Sequence, residues 1–271
     1  MSHLLRGHAP ITDEGWKLID EEARERLLPG LATRRLVDFS GPHGWEHSAT
    51  NLGRVEGANV SELKGVEANR RVVLPLIELR SRFTVSREEL RAGDRGAEDV
   101  DFASLDAAAQ RIVDAENTAV FHAWPKAGIE GITAATPHSP ILRTKSFEDY
   151  TGCVARAVEL LLRNGIEGPY RLALGREDYT SVVETAEHGG YPLLDHLRNI
   201  IKGPIVWAPG VKGAVVLSMR GGDFAFDSGE DLSVGYESHD TESVSLYIEE
   251  SFSFRVLTPE AAVAITAPKG R

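Results

Sequence analysis

The apolar positions of this chain change period several times, and each change marks an element. Trp16, Ile19, Ala23 and Leu27 step by three and four residues, which places them on one face of a helix. Thr12 can cap that helix, Asp13 and Glu14 suit the positive end of its dipole, and Pro29-Gly30 stops it. Its polar face carries Lys17, Asp20, Glu21 and Arg24. Such a helix either packs into the core or docks onto a neighbouring chain. From Gly41 to Ala68 the pattern dissolves into polar, glycine-rich sequence. That predicts a long loop or a two-stranded arm, and long loops in compact domains are usually functional or disordered. Ile77, Leu79, Phe83 and Val85 then share one parity against Glu78, Arg80, Arg82 and Thr84, a half-buried strand, with a turn at Gly93–Gly96 after it.

The longest helix is expected from Phe102 to Trp124 on the stripe Leu105, Ala108, Ile112, Ala115 and Ala119, with Pro125 as its stop. A second runs from Ser146 to Arg163 on Val154, Val158, Leu161 and Leu162, and Asn164-Gly165 supplies its C-terminal cap. Short buried strands at Leu172–Leu174, Ile205–Trp207 and Ala214–Leu217, with a helix over Pro192–Ile201, make the middle third a small α/β unit. The last third is β. Val244, Leu246, Ile248, Phe252, Phe254 and Val256 face one way; Ser245, Tyr247, Glu249, Ser251, Ser253 and Arg255 face the other. This predicts one strand roughly twice the usual five or six residues, with one polar face. Glu250 falls on the apolar parity and so needs a partner or a bulge. The fold class is α+β.

At 271 residues the chain has room for one large domain or two modest ones. Hydrophobic residues at 42% and charged residues at 26% are ordinary for a globular protein and exclude wholesale disorder. The net charge of −11 repels nucleic acid phosphates on average, so no nucleic acid partner is expected. Cys153 is the only cysteine, which excludes an intrachain disulfide and a multi-cysteine metal site. Met1 to Pro10 lacks the apolar stretch of a secretory signal, and no segment approaches the ~18 apolar residues of a bilayer span. No membrane partner is expected, and the chain reads as cytoplasmic.

No catalytic constellation emerges. His43 and His47 are four apart, but Pro42 and Gly44 oppose the helix that would align them on a metal. Ser238-His239-Asp240 has the letters of a hydrolase triad, yet adjacent residues cannot converge on one point, and a polar turn between strands is expected. Arg220-Gly221-Gly222-Asp223 reads as a turn that needs positive φ. Cys153 reads as an inert buried thiol. Glu184–Gly190 is a polar loop, plain surface in a monomer but able to line an opening in a ring. Arms and elongated elements suit a subunit that interlocks with its copies, and closed symmetric assembly is the general route for such interfaces.

A collinear set of short motifs then becomes informative. It begins with Leu5-Arg6, Ala9-Pro10 and Trp16, then Arg34 to Asp38 (RRLVD) and Gly41 to Glu46 (GPHGWE). Leu74 to Arg80 (LPLIELR), Phe83-Thr84 and Gly128 to Ile132 (GIEGI) follow. Gly165 to Tyr170 (GIEGPY), Glu187 to Pro192 (EHGGYP), Arg220 to Phe224 (RGGDF), Asp231 to Tyr236 (DLSVGY) and Glu249 to Phe254 (EESFSF) complete it. Each is weak alone; in this order, over nearly the whole chain, they resemble the encapsulins, the family 1 nanocompartment shell proteins once grouped with linocin-type bacteriocins.

The resemblance implies a tailed-phage major capsid fold of the Hong Kong 97 type. It would divide the chain into residues 1–49 (N-terminal helix and start of a peripheral domain), 50–71 (an extended arm that reaches a neighbour) and 72–132 (peripheral domain with a spine helix). Residues 133–219 would form an axial domain, and 220–271 the peripheral C-terminal strands. It implies self-assembly into an icosahedral shell, the smallest being about 60 copies. The shell would enclose a dye-decolorising peroxidase or a ferritin-like iron oxidase through its C-terminal targeting peptide, with roles in iron storage and oxidative stress. Arg34, Leu36, Asp38, Asp231, Leu232 and Val234 match the family's peptide pocket, Arg34 and Asp38 as polar holds and the apolar residues as seats for Leu or Ile. Glu184, Thr185, Ala186, Glu187, His188, Gly189 and Gly190 match its fivefold pore loop, where carboxylates would favour cations and His188 would make the charge sensitive to pH near about 6. Some members bind flavin through an aromatic residue after the Phe-Thr strand; Ser86 to Leu90 has none, so no cofactor is expected. The resemblance implies no enzyme activity. Two other readings stay open, a phage or prophage capsid protein and, from another class, a peptidase or bacteriocin.

Overall fold

In the computed structural model, which describes residues 3–58, 65–144, 147, 149–186 and 190–268, Thr12 caps the first helix as expected. Its Oγ1 accepts from the Gly15 amide at 3.0 Å, and α1 (Asp13–Leu27) buries Trp16, Ile19, Ala23 and Leu27. A single helical turn, α2 (Thr33–Leu36), and a short strand, β1 (Asp38–Ser40), follow. The glycine-rich stretch takes the two-stranded form: β2 (Ala49–Ala58) and β3 (Ala68–Pro75) pair antiparallel from Ala49 and Pro75 out to Ala58 and Ala68, with most of their residues exposed. β4 (Ile77–Ser86) buries Leu79, Ser81, Phe83 and Val85 and exposes the alternate positions, matching its pattern.

The segment after β4 differs from expectation. Ser86 Oγ accepts from the Glu88 amide and opens a helix, α3 (Arg87–Asp94). Gly93 lies inside it, where a Cβ would meet Leu18 Cδ1 at 2.8 Å, so α3 sits close against α1. Leu90 is its one buried apolar side chain, which leaves no stripe to read. α4 (Ala103–His122) buries Leu105, Ala108, Ile112 and Ala119 as predicted, and Glu116 and Asn117 as well. It packs on β4 and α1.

α5 (Ile132–Ala135), β5 (Ile141–Leu142) and α6 (Tyr150–Arg163) come next. α6 starts after the predicted Ser146, which lies outside the described residues; Phe147, at φ +59°, is incompatible with a helix there. Val154 and Leu161 are buried, but Leu162 is 52% exposed. β6 (Tyr170–Leu174), α7 (Arg176–Glu184), α8 (Leu193–Ile201), β7 (Ile205–Trp207) and β8 (Ala214–Ser218) form the middle third. α7 is absent from the sequence reading because only Asp178 and Val182 of it are buried. The Gly221-Gly222 turn has the expected positive φ, +81° and +78°. It leads to β9 (Phe224–Ser228), β10 (Ser233–His239), β11 (Ser243–Val256) and β12 (Ala262–Thr266).

Two sheets organise these strands. One runs β1-β9-β11-β10, with β4 also on β11; the other runs β5-β12-β8-β6-β7. Residues 220–271 contribute to both, β9, β10 and β11 to the first and β12 to the second. The length of β11 lets it pair with β4 along Ser243–Phe252, β10 along Val244–Glu249 and β9 along Phe252–Val256. Its expected polar face is not open to solvent: Tyr247, Glu249, Ser251 and Ser253 are buried. Arg80 covers part of it, pairing with Glu249 at 2.6 Å and lying over the Tyr247 ring. Thr50, at the base of the arm, covers more through Ser253 Oγ at 2.7 Å and Asp227 Oδ2 at 3.1 Å. The second face is buried by elements far away in sequence, which a strand's own alternation cannot show. Among the described residues no helix is long and apolar enough to cross a membrane.

Asn117 joins α4 to the corner before α2. Its Oδ1 accepts from Thr33 N and Oγ1 at 3.1 and 3.0 Å, and its Nδ2 donates to the carbonyls of Gly30 and Pro209 at 2.8 and 2.9 Å. The chain fits there because Gly30 lacks a Cβ, which would lie 2.6 Å from Val113 Cγ1. Asn117→Ala leaves several of these buried groups unpaired and should cost about 3 kcal/mol, read as a lower urea midpoint; an unchanged midpoint contradicts the role given to Asn117.

Candidate functional site

Two clefts flank Arg6 beside α1. One, about 760 Å³, follows the first half of α1 between Arg6, Trp16, Lys17 and Glu21. The other, about 590 Å³, lies between the second half of α1 and β10. The second has an apolar floor of Leu27, Leu31, Leu232, Val234 and Ile248 and a charged rim of Arg6, Asp20, Arg24, Arg34 and Asp231. Leu28, 58% exposed, lines the same groove. An apolar trough with a few fixed polar groups is the form that recognises short peptide segments. The chain's own N-terminal segment borders it: Tyr236 N donates to Leu4 O at 2.9 Å, and Arg6 Nε donates to Val234 O at 3.0 Å.

Arg34 reaches this groove because α2 is locked in place by Thr33 and Asn117. Its Nε donates to Glu116 Oε2 at 3.0 Å, its Nη2 to Glu250 Oε2 at 2.8 Å, and its Nη1 to Asp231 Oδ1. The guanidinium also lies near the Phe39 and Phe226 rings, 5.4 and 5.8 Å from their centroids. Burial works against its charge, but Glu116, Glu250 and Asp231 outweigh burial and hold it protonated above its ordinary value. Burial and then the neighbouring Glu116 push the Glu250 carboxyl well above the usual carboxylate range, against the pull of Arg34.

The structure brings Arg34, Asp231, Leu232 and Val234 together at the groove. It does not bring Leu36 and Asp38 there. Leu36 is fully buried, and its carbonyl accepts from Arg171 Nη1 at 2.7 Å; one residue pair along a tight helical turn points it to the core, away from Arg34. Asp38 has passed into β1, where its Oδ2 accepts from the Gly222 amide and fastens the glycine turn. Of the loop residues, Glu184 ends α7 and is exposed, Thr185 caps α7, and Ala186 bridges to Pro192. Gly190 turns at φ +80°. Glu187, His188 and Gly189 lie outside the described residues.

Sequence reasoning missed Glu116 and Asn117, although Glu116 is four residues past Ile112 on the buried stripe of α4. Glu250, marked by its parity as needing a partner, finds Arg34. His43 and His47 do approach, with ring centroids 4.8 Å apart, but without helical geometry. Among the described residues no group of three or more His, Cys, Asp or Glu is placed to hold a metal. Ser238 and His239 are not in a turn as expected but end β10, paired with Ser245 and Val244 of β11, and only Asp240 enters the turn: His239 Nδ1 meets Tyr236 OH at 2.6 Å, and Asp240 accepts from the amides of Glu242 and Ser243.

Arg34→Met should destabilise the chain by about 3–5 kcal/mol, because it strips a buried carboxyl pair of its cation. Asp231→Asn, at a carboxylate 45% exposed, should cost less than about 1 kcal/mol. Urea unfolding of the two variants side by side checks the contrast, and equal losses contradict it.

Comparisons with known proteins agree on one family. Residues 1–253 match the family described as "Encapsulating protein for peroxidase". A type 1 encapsulin shell protein of Rhodospirillum rubrum is 45% identical over 98% of this chain and 96% of its own length. The corresponding proteins of Brevibacterium linens and Mycobacterium tuberculosis are 40% and 37% identical, each over 98% of this chain and 100% of the relative. Among solved structures, the virus-like particle from Pyrococcus furiosus superposes with a TM-score of 0.58 at 18% identity, over 90% of this chain and 97% of that one. The capsid of an empty GTA particle gives 0.54 at 14% identity, over 88% and 90%. These structures establish the capsid fold of the Hong Kong 97 type. With that fold and those relatives over nearly its full length, the chain belongs to the type 1 encapsulin shell proteins.

Proposed function

We propose that copies of this chain close into an icosahedral shell, and that the groove between α1 and β10 takes the C-terminal peptide of a cargo enzyme, a dye-decolorising peroxidase or a ferritin-like iron oxidase. Family membership and the capsid fold support the shell. The observation that carries it in this chain is the β2–β3 arm, which leaves Val55 and Val73 at 59% and 45% exposure with no core of its own to cover them. A neighbouring copy supplies that cover in a closed assembly. On this reading the sheet around β11, with α1 and α4, is the peripheral unit. The sheet around β8, with α6 to α8, is the axial unit. The segment between α7 and α8 would come to the fivefold axis, where five copies of Glu184 would favour cations. About 60 copies make the smallest such shell.

The groove supports cargo capture by its chemistry. Leu232, Val234 and Ile248 offer seats for Leu or Ile side chains, and Arg34 and Asp231 offer polar holds at one end. Co-expression with a dye-decolorising peroxidase carrying a Leu- and Ile-bearing C-terminal tail should give particles that retain the peroxidase, while the tailless enzyme is lost. Leu232→Asp should reduce retention at least about tenfold, the effect of about 1.4 kcal/mol at the peptide. Equal retention of tailed and tailless enzyme, or DNA in place of protein inside the particles, contradicts the proposal.

A further inference from the structure

Glu116 and Glu250 are buried side by side, at 0% and 2% exposure, and both lean on one guanidinium. Arg34 uses one oxygen of each, Glu116 Oε2 and Glu250 Oε2. The other two oxygens, Glu116 Oε1 and Glu250 Oε1, are buried with no donor among the described residues. Nε and Nη2 are neighbouring nitrogens of one guanidinium, so the two carboxyl oxygens that they hold at 3.0 and 2.8 Å are brought close together. Two ionised carboxylates at that range in a buried site are opposed by both repulsion and desolvation. Arg34 carries one positive charge, and Asp231 already claims part of it at the rim. A single proton between the glutamates removes the excess charge and turns one carboxyl oxygen of the pair into a donor.

We propose that Glu116 and Glu250 hold one proton in common beneath the groove, and that this proton leaves the Arg34 guanidinium turned outward to Asp231 and the groove's occupant. The charged groups that face the pair are few. α2 brings Arg34, the loop before β10 brings Asp231, and α1 brings Arg24 to the same groove. β1 and β9 present the rings of Phe39 and Phe226 to the guanidinium, and β4 places Leu79 opposite Glu250. With the proton in place, Arg34 balances the pair. When the proton leaves, the pair gains a second negative charge and draws the guanidinium inward, away from Asp231.

The sign of the pH dependence follows. The folded chain holds a proton that an unfolded glutamate releases in its ordinary range. The contribution to stability is therefore full in acid and is lost as pH rises through the raised value of the folded state. The loss is at most about tenfold in the folding equilibrium per pH unit for one proton. The role of Arg34 toward a peptide rests on the groove reading above; the shared proton does not.

Infrared difference spectra of the assembled protein test this. At neutral pH the wild type should show the C=O stretch of a protonated carboxylic acid; the melting temperature should fall as pH rises from the ordinary glutamate range toward the raised folded value, and the band should fade where that fall levels off. Glu250→Gln and Glu116→Gln should each abolish the band, because a lone carboxylate beside Arg34 needs no proton, and the melting temperature of Glu250→Gln should be flat over that interval. No band in the wild type overturns the proposal. So does a band that persists in Glu116→Gln, which would place the proton on Glu250 through burial alone. The wild-type titration stands even if a variant fails to fold. A Leu- and Ile-bearing tail peptide that binds should be released as the band fades; binding indifferent to the band overturns the positioning role of Arg34. A peptide that binds at no pH contradicts the groove reading and leaves the band to decide the proton.

Discussion

One guanidinium sits at the junction of four segments. Arg34 ties α2 to α4 through Glu116, to β11 through Glu250 and to the loop before β10 through Asp231. Burying that much charge is costly unless every partner is present, so the junction commits all four segments to one arrangement. The groove beside α1 exists because of it. α1 ends just before the corner that Asn117 pins, and β10 begins just after Asp231. The wall, floor and rim of the groove are therefore set by the same contacts that join helix to sheet.

β11 provides the second constraint. A strand long enough to pair with β4, β10 and β9 in turn makes one continuous platform from what would otherwise be separate hairpins. α4 lies across one face, and the arm's base, Arg80 and the N-terminal segment close part of the other. Outside this doubly covered sheet, the arm leaves Val55 and Val73 in the open. An arm that holds exposed apolar residues and has no core of its own suits a subunit that meets copies of itself.

Much of this was legible from residue order. Thr12 announced its helix, the parity of Ile77 to Val85 announced β4, and the alternation from Val244 to Val256 announced β11. Those signals are local, and local geometry honours them. α3 and α7 escaped because each buries so few side chains that no period forms. Leu162 looked like part of the α6 stripe because helical spacing says which residues share a face and not how wide the covered face is. The motif Arg34 to Asp38 suggested a single site, yet the chain turns from α2 into β1 within it. Arg34 faces the groove, Leu36 the core and Asp38 the glycine turn. Glu116 was hidden because its partners come from α2 and β11, far along the chain. Glu250 showed that a partner was needed and gave no hint of which.

The central claim is that this chain closes on copies of itself into a shell. Electron microscopy of the protein expressed alone and purified tests it most directly. The account predicts hollow, uniform, closed particles of about 60 copies or a multiple of that. A dispersed monomer or dimer, with the arm's apolar residues uncovered in solution, would contradict it.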